Sequence, residues 1–338
     1  MTAIEETKYF YELTPERILT AVEKTGLRCT GRILTLNSME NRVYEVEIDI
    51  ENEQDLKSIS EKFRIAKFYR PGRWTKEQIQ EEHQFLFDLQ SQDIPVIAPI
   101  VLEEGSTIKK LDETDIYFSV FPKCGGRIPE EFTDEQLEIV GRLLARLHNI
   151  GASKKFEHRI QISPESYGIK NLEYLLSSGT LPLEIKSAYE ASVRELSALL
   201  AVHFKGLENI RIHGDCHLAN ILWGGQGPFL VDFDDSLTGP PVQDLWLILP
   251  GRDEEAKRQL GVMLEAYESM RRFDRKSLKL IEGLRALRII HFSAWIARRW
   301  KDPAFQRAFT DFGSSRYWQE QLATVNEQLM LVKEELNS

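Results

Sequence analysis

The sequence predicts an α+β protein of two unequal lobes: a small sheet-bearing lobe over residues 1–121 and a larger, mainly helical lobe over 122–338. Three observations predict it. The first third carries short β-branched and aromatic runs, most of them alternating. A Pro/Gly segment, "PKCGG" (122–126), marks a change of character. Beyond it the apolar residues recur at helical spacing, with one strand-like exception, "IHGDCHLANILWGGQGPFLVDFDD" (212–235).

The elements follow in order. Strands are expected at "RILTL" (32–36), "VYEVEIDI" (43–50), "KFRIAKFY" (62–69), "VIAPIVL" (96–102) and "DIYFSVF" (115–121). A helix starts near Thr75, where "TKEQ" pairs Thr75 with Gln78 as a capping box. A second capping box, Thr133 with Gln136, opens the helix 133–151, and Gly151 stands where a C-terminal glycine belongs. Helical periodicity also marks 182–204, 254–273, 276–300 and 316–336.

Composition narrows the function classes. A chain of 338 residues forms one large domain or two medium ones. Hydrophobic residues make up 42% and charged residues 28%, a balance that excludes disorder. The net charge of −10 argues against a general nucleic-acid or acidic-membrane surface. Cys29, Cys124 and Cys216 are far apart and form no disulfide framework or CxxC pair, which fits a reducing cytoplasm. The first residues, "MTAIEETKYFYEL", lack the basic and apolar regions of a signal peptide, and no apolar run approaches a membrane span. The expectation is a cytoplasmic monomer with no nucleic-acid or membrane partner.

The strand-like exception carries the chemistry. Carboxylates set among Ile, Leu, Trp, Phe and Val are costly unless they have partners. "NILW", "GGQGP" and "FLVDF" read as a β-hairpin around a Gly-rich turn. With 224–228 as the loop, Trp223 faces Phe229, Leu222 faces Leu230, Ile221 faces Val231 and Asn220 faces Asp232. Directly opposed residues have Cβ atoms about 5 Å apart. Asn220 and Asp232 would therefore offer two oxygens to a hard cation such as Mg²⁺. Asp215 lies five residues before Asn220, in the loop that feeds the first strand. Asp-x-x-x-x-Asn, a hairpin, then Asp is the arrangement phosphoryl transfer needs. Asp215 would orient or accept the proton of the attacking hydroxyl. Asn220 and Asp232 would hold Mg²⁺, which makes Asp215 and Asp232 the catalytic pair.

"HGDCHLAN", "FLVDFDD" and "GPPVQDLW" resemble the aminoglycoside-phosphotransferase and choline-kinase superfamily. "LNSMENRVYEV", "KFYRPGRWTKEQIQEEHQF", "HGDCHLANILW" and "GPPVQDLW" resemble the stress response kinase A family within it, over nearly the full length. The resemblance implies a bilobal protein-kinase-like fold, with a small antiparallel-sheet N-lobe, a hinge near 119–126 and a helical C-lobe. It implies a bacterial Ser/Thr protein kinase of the cytoplasm that uses ATP and Mg²⁺, phosphorylates itself among other proteins and serves a stress response.

Further site residues follow. In "KFRIAKFY" the alternation puts Phe63, Ile65, Lys67 and Tyr69 on one face. On its own Lys67 reads equally as a lysine snorkelling at a sheet edge; the resemblance implies that it binds phosphate and that Ile65 covers the adenine. Lys67 then needs a carboxylate from the following helix. Ile79, Phe85, Leu86 and Leu89 define that helix's apolar side; Glu82 falls within it and Glu81 off it, so Glu82 is the expected partner. There is no GxGxxG. The turn "NSMEN" (37–41) would otherwise read as an ordinary β-turn; the resemblance implies that Ser38 contacts the nucleotide. Phe121, in the expected hinge "SVFPK" (119–123), completes the nucleotide set, with ATP expected between the lobes. Asp244 is expected to cap a helix, and the resemblance implies that it braces the catalytic loop; His213 is expected to orient Asp215, and His148 to be a packing residue. Arg271, Arg272, Arg275 and Lys276 are expected to form a solvated helix face.

Departures from ordinary protein kinases keep other readings open. His-Arg-Asp and Asp-Phe-Gly stand here as "HGD" and "DFD", and Asp232 to Asp244 leaves little room for an activation loop. The first alternative is a small-molecule kinase acting on choline, homoserine or an aminoglycoside, with Asp234 and Asp235 holding a cationic substrate. The second is a metallohydrolase built on His-x-Asp-x-His at 213–217. The third is a kinase-shaped module that binds ATP without turnover.

Overall fold

The computed structural model describes residues 10–52, 54, 56, 58–225 and 227–337. They pack as two compact units. The first holds the described residues up to Glu130 with Ala219–Asp234, and the second holds Glu131–Leu218 with the described residues from Asp235 onward. The sequence reading put the division at 121/122 and left the hairpin with the second lobe. The hairpin joins the first unit through backbone hydrogen bonds: Leu230 N–H donates to Pro95 O at 2.9 Å, and Arg127 and Trp223 exchange a pair at 3.0 and 2.8 Å.

In the first unit, helix α1 (Pro15–Glu23) starts at Thr14, whose side chain accepts from Arg17 N–H, with Pro15 in the first turn. An antiparallel sheet follows, built from β1 (Cys29–Leu36), β2 (Arg42–Ile48), β3 (Phe63–Phe68), β4 (Lys109–Lys110) and β5 (Tyr117–Pro122), in the order β1-β2-β3-β5-β4. One face holds the apolar core: Ala66 and Phe68 of β3 pack with Val46, Phe118, Val120 and, from α1, Ile18 and Val22. Because β3 alternates, Ile65, Lys67 and Tyr69 belong to the opposite face, where Tyr69 packs with Ile79 and Ile108. Ile79 lies on α2 (Lys76–Gln90), which begins at the Thr75–Gln78 capping box. The expected strand at 96–102 does not form: only Val96 makes a bridge, to Leu230. Pro95 and Pro99 remove ladder donors there.

The hairpin is β7 (Ile221–Gly224) and β8 (Gly227–Leu230), and its register corrects the expected one by a residue. Ile221 pairs with Leu230, Leu222 with Phe229 and Trp223 with Pro228. Asn220 therefore stands level with Val231, whose N–H donates to Asn220 O at 3.0 Å, rather than opposite Asp232. The turn is shorter than the five residues expected, because the Gly224–Gly227 pair closes it.

The second unit is mainly helical. It contains α3 (Asp134–Ser153), α4 (Lys170–Ser177), α5 (Leu183–His203), α6 (Val242–Ile248), α7 (Glu254–Glu268), α8 (Ile281–Arg299), α9 (Pro303–Ala308) and α10 (Ser315–Asn337). A two-stranded sheet pairs β6 (Ile210–Ile212) with β9 (Leu237–Gly239). The expected capping box opens α3, but Gly151 is not its cap. The helix runs through Gly151, where a Cβ would come 2.1 Å from Arg211 O; the glycine lets β6 lie against the helix. Gly141 does the same for α7, where a Cβ would meet Met263 O at 2.3 Å. The expected basic face is solvated at Arg272, Arg275 and Lys276, but Arg271 and Arg272 lie outside any helix. Arg271 pairs with Glu208 at 2.5 Å and Arg275 with Glu268 at 2.6 Å, in the segment between α7 and α8.

Candidate active site

In the first unit the chemistry gathers around Lys67. It is buried on β3, and Ile65 two residues before it is directly opposed to Phe121 across the β3–β5 ladder. Ile65, expected against the adenine, and Phe121, expected in the nucleotide set, are thus cross-strand neighbours. Lys67 Nζ lies 3.0 Å from Asp234 Oδ1, 3.6 Å from Glu82 Oε1 and 3.7 Å from Asp232 Oδ1. Glu82 is fully buried, as the helical wheel required, while Glu81 is not. Burial opposes the Lys67 charge, but Asp234, Glu82, Tyr69 and Asp232 outweigh it and lift its pKa well above the ordinary value.

Sequence reading missed the rest of this cluster. Asp234 also takes Arg73 Nη1 at 2.5 Å and Asn41 Nδ2 at 3.2 Å. Arg70 Nε sits 2.9 Å from Glu40 Oε1 and donates to Glu40 O at 3.0 Å, while its own backbone N–H donates to Asn41 Oδ1 at 3.1 Å. These bonds pin the β1–β2 turn that contains Ser38. The available signal was "KFYRPGRW", two arginines set into an apolar strand end, and the paired acids of "DFDD". Asn220 is buried at the start of β7. Asp232 has a left-handed backbone, φ 59°, and a side chain 59% exposed. A non-glycine held there stores on the order of 1–3 kcal/mol, which surrounding structure must offset.

In the second unit, Asp215 sits in the loop after β6. Asp244, wholly buried, accepts His213 N–H at 2.9 Å on one oxygen and Gly214 N–H at 2.8 Å on the other. His148, on α3, reaches Asp244 Oδ2 at 3.0 Å through Nε2 and Tyr267 OH at 2.9 Å through Nδ1. Asp244 thus braces the loop as expected, but it does not cap α6, which starts at Pro241 without a side-chain cap. Gly214 takes φ 84°, and a Cβ there would lie 2.3 Å from Asp235 O. His213, also wholly buried, receives Asp215 N–H at 3.4 Å on Nδ1. Asp215 Oδ1 meets Arg288 Nη1 at 2.7 Å, and Oδ2 meets His217 Nε2 at 3.5 Å. Burial alone would raise its pKa. The His217 contact and the charges of Arg288, His217 and His213 outweigh burial and hold the carboxyl well below the ordinary carboxylate range. Arg288 was not foreseen. Among the described residues no group of three or more His, Cys, Asp or Glu side chains is arranged to hold a metal ion, so His213, Asp215 and His217 do not assemble as a ligand cluster. No helix among them is long and apolar enough to cross a membrane.

A braced aspartate loop, an amide and acid on a hairpin, and a lysine held by carboxylates make up the equipment of a phosphotransferase. The model of the phosphotransferase enzyme family matches residues 36–281, and the chain belongs to that family and, within it, to the stress response kinase A family. Stress response kinase A of Escherichia coli (strain K12) is 40% identical over 326 residues, which cover 96% of this chain and 95% of the relative. A Salmonella typhimurium relative named serine/threonine protein kinase RdoA is 38% identical over the same shares. Among solved structures, an amicoumacin kinase in complex with AMP-PNP, Ca²⁺ and Ami has a TM-score of 0.70 at 18% identity, covering 92% of each chain. The α+β fold, a small antiparallel sheet with a largely helical remainder, is that of this kinase class.

Proposed function

We propose that the chain is an ATP- and Mg²⁺-dependent kinase that transfers the γ-phosphate to Ser or Thr hydroxyls of proteins, its own included, in a bacterial stress response. The observation that carries this reading is Lys67, buried and held by Glu82 and by both acids of the 232–234 turn. A lysine kept charged there serves phosphate, because a desolvated cation without a task would be replaced by an apolar side chain at no loss. The protein acceptor is supported by the relative named as a serine/threonine protein kinase. It is supported further by Asp234, the acid offered for a cationic small molecule, which Lys67 and Arg73 already neutralise.

In this reading Lys67 binds the ATP phosphates, Glu82 positions Lys67, Ile65 and Phe121 flank the adenine, and Ser38 approaches the phosphates from the pinned turn. The acceptor oxygen attacks the γ-phosphorus, the bond from that phosphorus to the β–γ bridging oxygen breaks, ADP leaves, and the hydroxyl proton passes to an Asp215 carboxylate oxygen. The donor chemistry fits Mg²⁺: Asn220 and Asp232 offer the hard amide and carboxylate oxygens it takes. Asp232 also keeps a largely exposed side chain, open to an ion. The ion would neutralise phosphate charge as it develops.

The test is transfer of label from ATP by wild type and Asp215→Ala, scored on the chain itself, a general protein substrate and a panel of small alcohols. Label on protein that vanishes in Asp215→Ala supports the proposal. Label that reaches only an alcohol would select the small-molecule alternative, and ATP binding without any transfer would select the non-catalytic one.

A further inference from the structure

The second unit carries a cation that the reaction just described does not use. Arg288 stands on α8 with Nη1 2.7 Å from Asp215 Oδ1. Its helical neighbours Leu287 and Ile290 are wholly buried, so the backbone that presents it is fixed, yet 40% of its own side chain is exposed. The Oδ1 that the guanidinium meets is buried, while Asp215 keeps part of its side chain exposed. The loop does not need it for bracing. Asp244 already takes the His213 and Gly214 N–H groups, and Gln243 Nε2 donates to Gly214 O at 3.1 Å. What Arg288 touches is the carboxylate to which the acceptor hydroxyl must come.

A fixed positive charge beside the base bears on the acceptor as well as on Asp215. An acceptor that carried an amine next to its hydroxyl would bring that amine within a few ångströms of the guanidinium, and like charges at such a distance repel. An acceptor with a carboxylate or no charge there meets no such penalty. We propose that Arg288 is a specificity-determining residue of the acceptor site: it positions the Asp215 carboxylate and selects hydroxyl acceptors with acidic or neutral flanks over those with an amine beside the hydroxyl. For a protein acceptor this means Ser or Thr followed or preceded by Asp or Glu. The inference rests on Asp215 acting as the base in phosphoryl transfer.

The experiment uses the full chain as wild type, Arg288→Gln and Arg288→Lys. The acceptors are a serine peptide flanked by glutamates, the same peptide flanked by lysines, an amino alcohol and an uncharged polyol. Each is scored for transfer, as KM and kcat separately, and as an inhibitor of self-phosphorylation. Wild type is expected to favour the glutamate peptide over the lysine peptide by about tenfold or more, chiefly in KM or in inhibition constant. Arg288→Gln is expected to lose that preference, and Arg288→Lys to retain most of it because the charge survives. A purely structural role would lower kcat for all acceptors alike and leave the preference untouched. Equal use of both peptides by wild type, or a preference unchanged in Arg288→Gln, would overturn the proposal. No transfer to any acceptor, self included, would instead show that the phosphotransfer reading itself is wrong, and would take this inference with it.

Discussion

The two units solve the problem of a buried carboxylate in opposite ways. Around Lys67, acids and cations are matched many to many: Asp234 alone holds Lys67, Arg73 and Asn41. Around Asp215, one acid is held by one half-exposed arginine and a histidine, while a second acid, Asp244, braces the loop beneath. In the proposed function the first arrangement fixes charge in place for the ATP phosphates. The second separates the bracing acid from Asp215, the base of the proposed reaction, which keeps part of its side chain exposed. Removing one member should therefore damage the first unit by redistributing charge, and should damage the second in a way that depends on which acid is lost.

The largest effect is expected at the hairpin. Asp232→Ala removes the exposed acid beside Lys67 and a proposed metal ligand, so it should weaken ATP binding in the presence of Mg²⁺ and abolish transfer, a loss on the order of a thousandfold or more. Asp215→Ala should lose on the order of a hundredfold or more in kcat while ATP binding is retained. Equilibrium nucleotide binding and single-turnover transfer measured on both variants separate the two roles. Equal loss of binding in both would erase the distinction between gripping and acting.

That contrast also explains what was legible. Asp215, Asn220, Asp232 and Asp244 fall within thirty residues, and their spacing suits the proposed chemistry, so they could be singled out without coordinates. Glu82 was readable because a helical wheel places a carboxylate in an apolar stripe. Asp234 was offered only within the small-molecule alternative, because its partners Arg73 and Asn41 lie more than 160 residues away in the chain, at separations of 161 and 193. Arg288 was invisible for the same reason. The hairpin register slipped by one because a Gly-rich loop permits several turn lengths, and only the backbone bond from Val231 to Asn220 settles it. At 96–102 the β-branched residues outvoted the prolines in the reading, and the missing donors decided the outcome.

Next in size is the brace. Asp244→Ala would leave the His213 and Gly214 N–H groups and His148 without their acceptor in a wholly buried place, at a cost of about 3 kcal/mol. Thermal or denaturant unfolding should show it directly, and activity should fall because the Asp215 loop relaxes. Asp234→Asn keeps the shape and one acceptor oxygen but removes the charge that Lys67 and Arg73 share. It should raise KM for ATP by roughly tenfold, and by more than Glu82→Gln, since Asp234 is the nearer partner of Lys67. The reverse order would mean that Glu82 is the residue that holds the lysine.

The smallest effect separates the units by pH. The folded-state pKa of Asp215 is depressed, so its contribution to stability is fully present above the unfolded value, about 4, and is lost as pH falls from there through the folded value. Arg288→Gln takes away one of the charges that depress it, leaving His213 and His217 to act alone. The folded pKa then moves back toward 4, the stabilisation shrinks, and the acid unfolding curve between about pH 4 and pH 2 becomes shallower. At pH 7 the variant should lose that share of stability, a modest one because the arginine is half-exposed, and near pH 2 it should lose little of it. Urea unfolding at a series of pH values measures both quantities. A variant whose stability falls equally at every pH would show that Arg288 supports the fold of α8 rather than the charge state of the base.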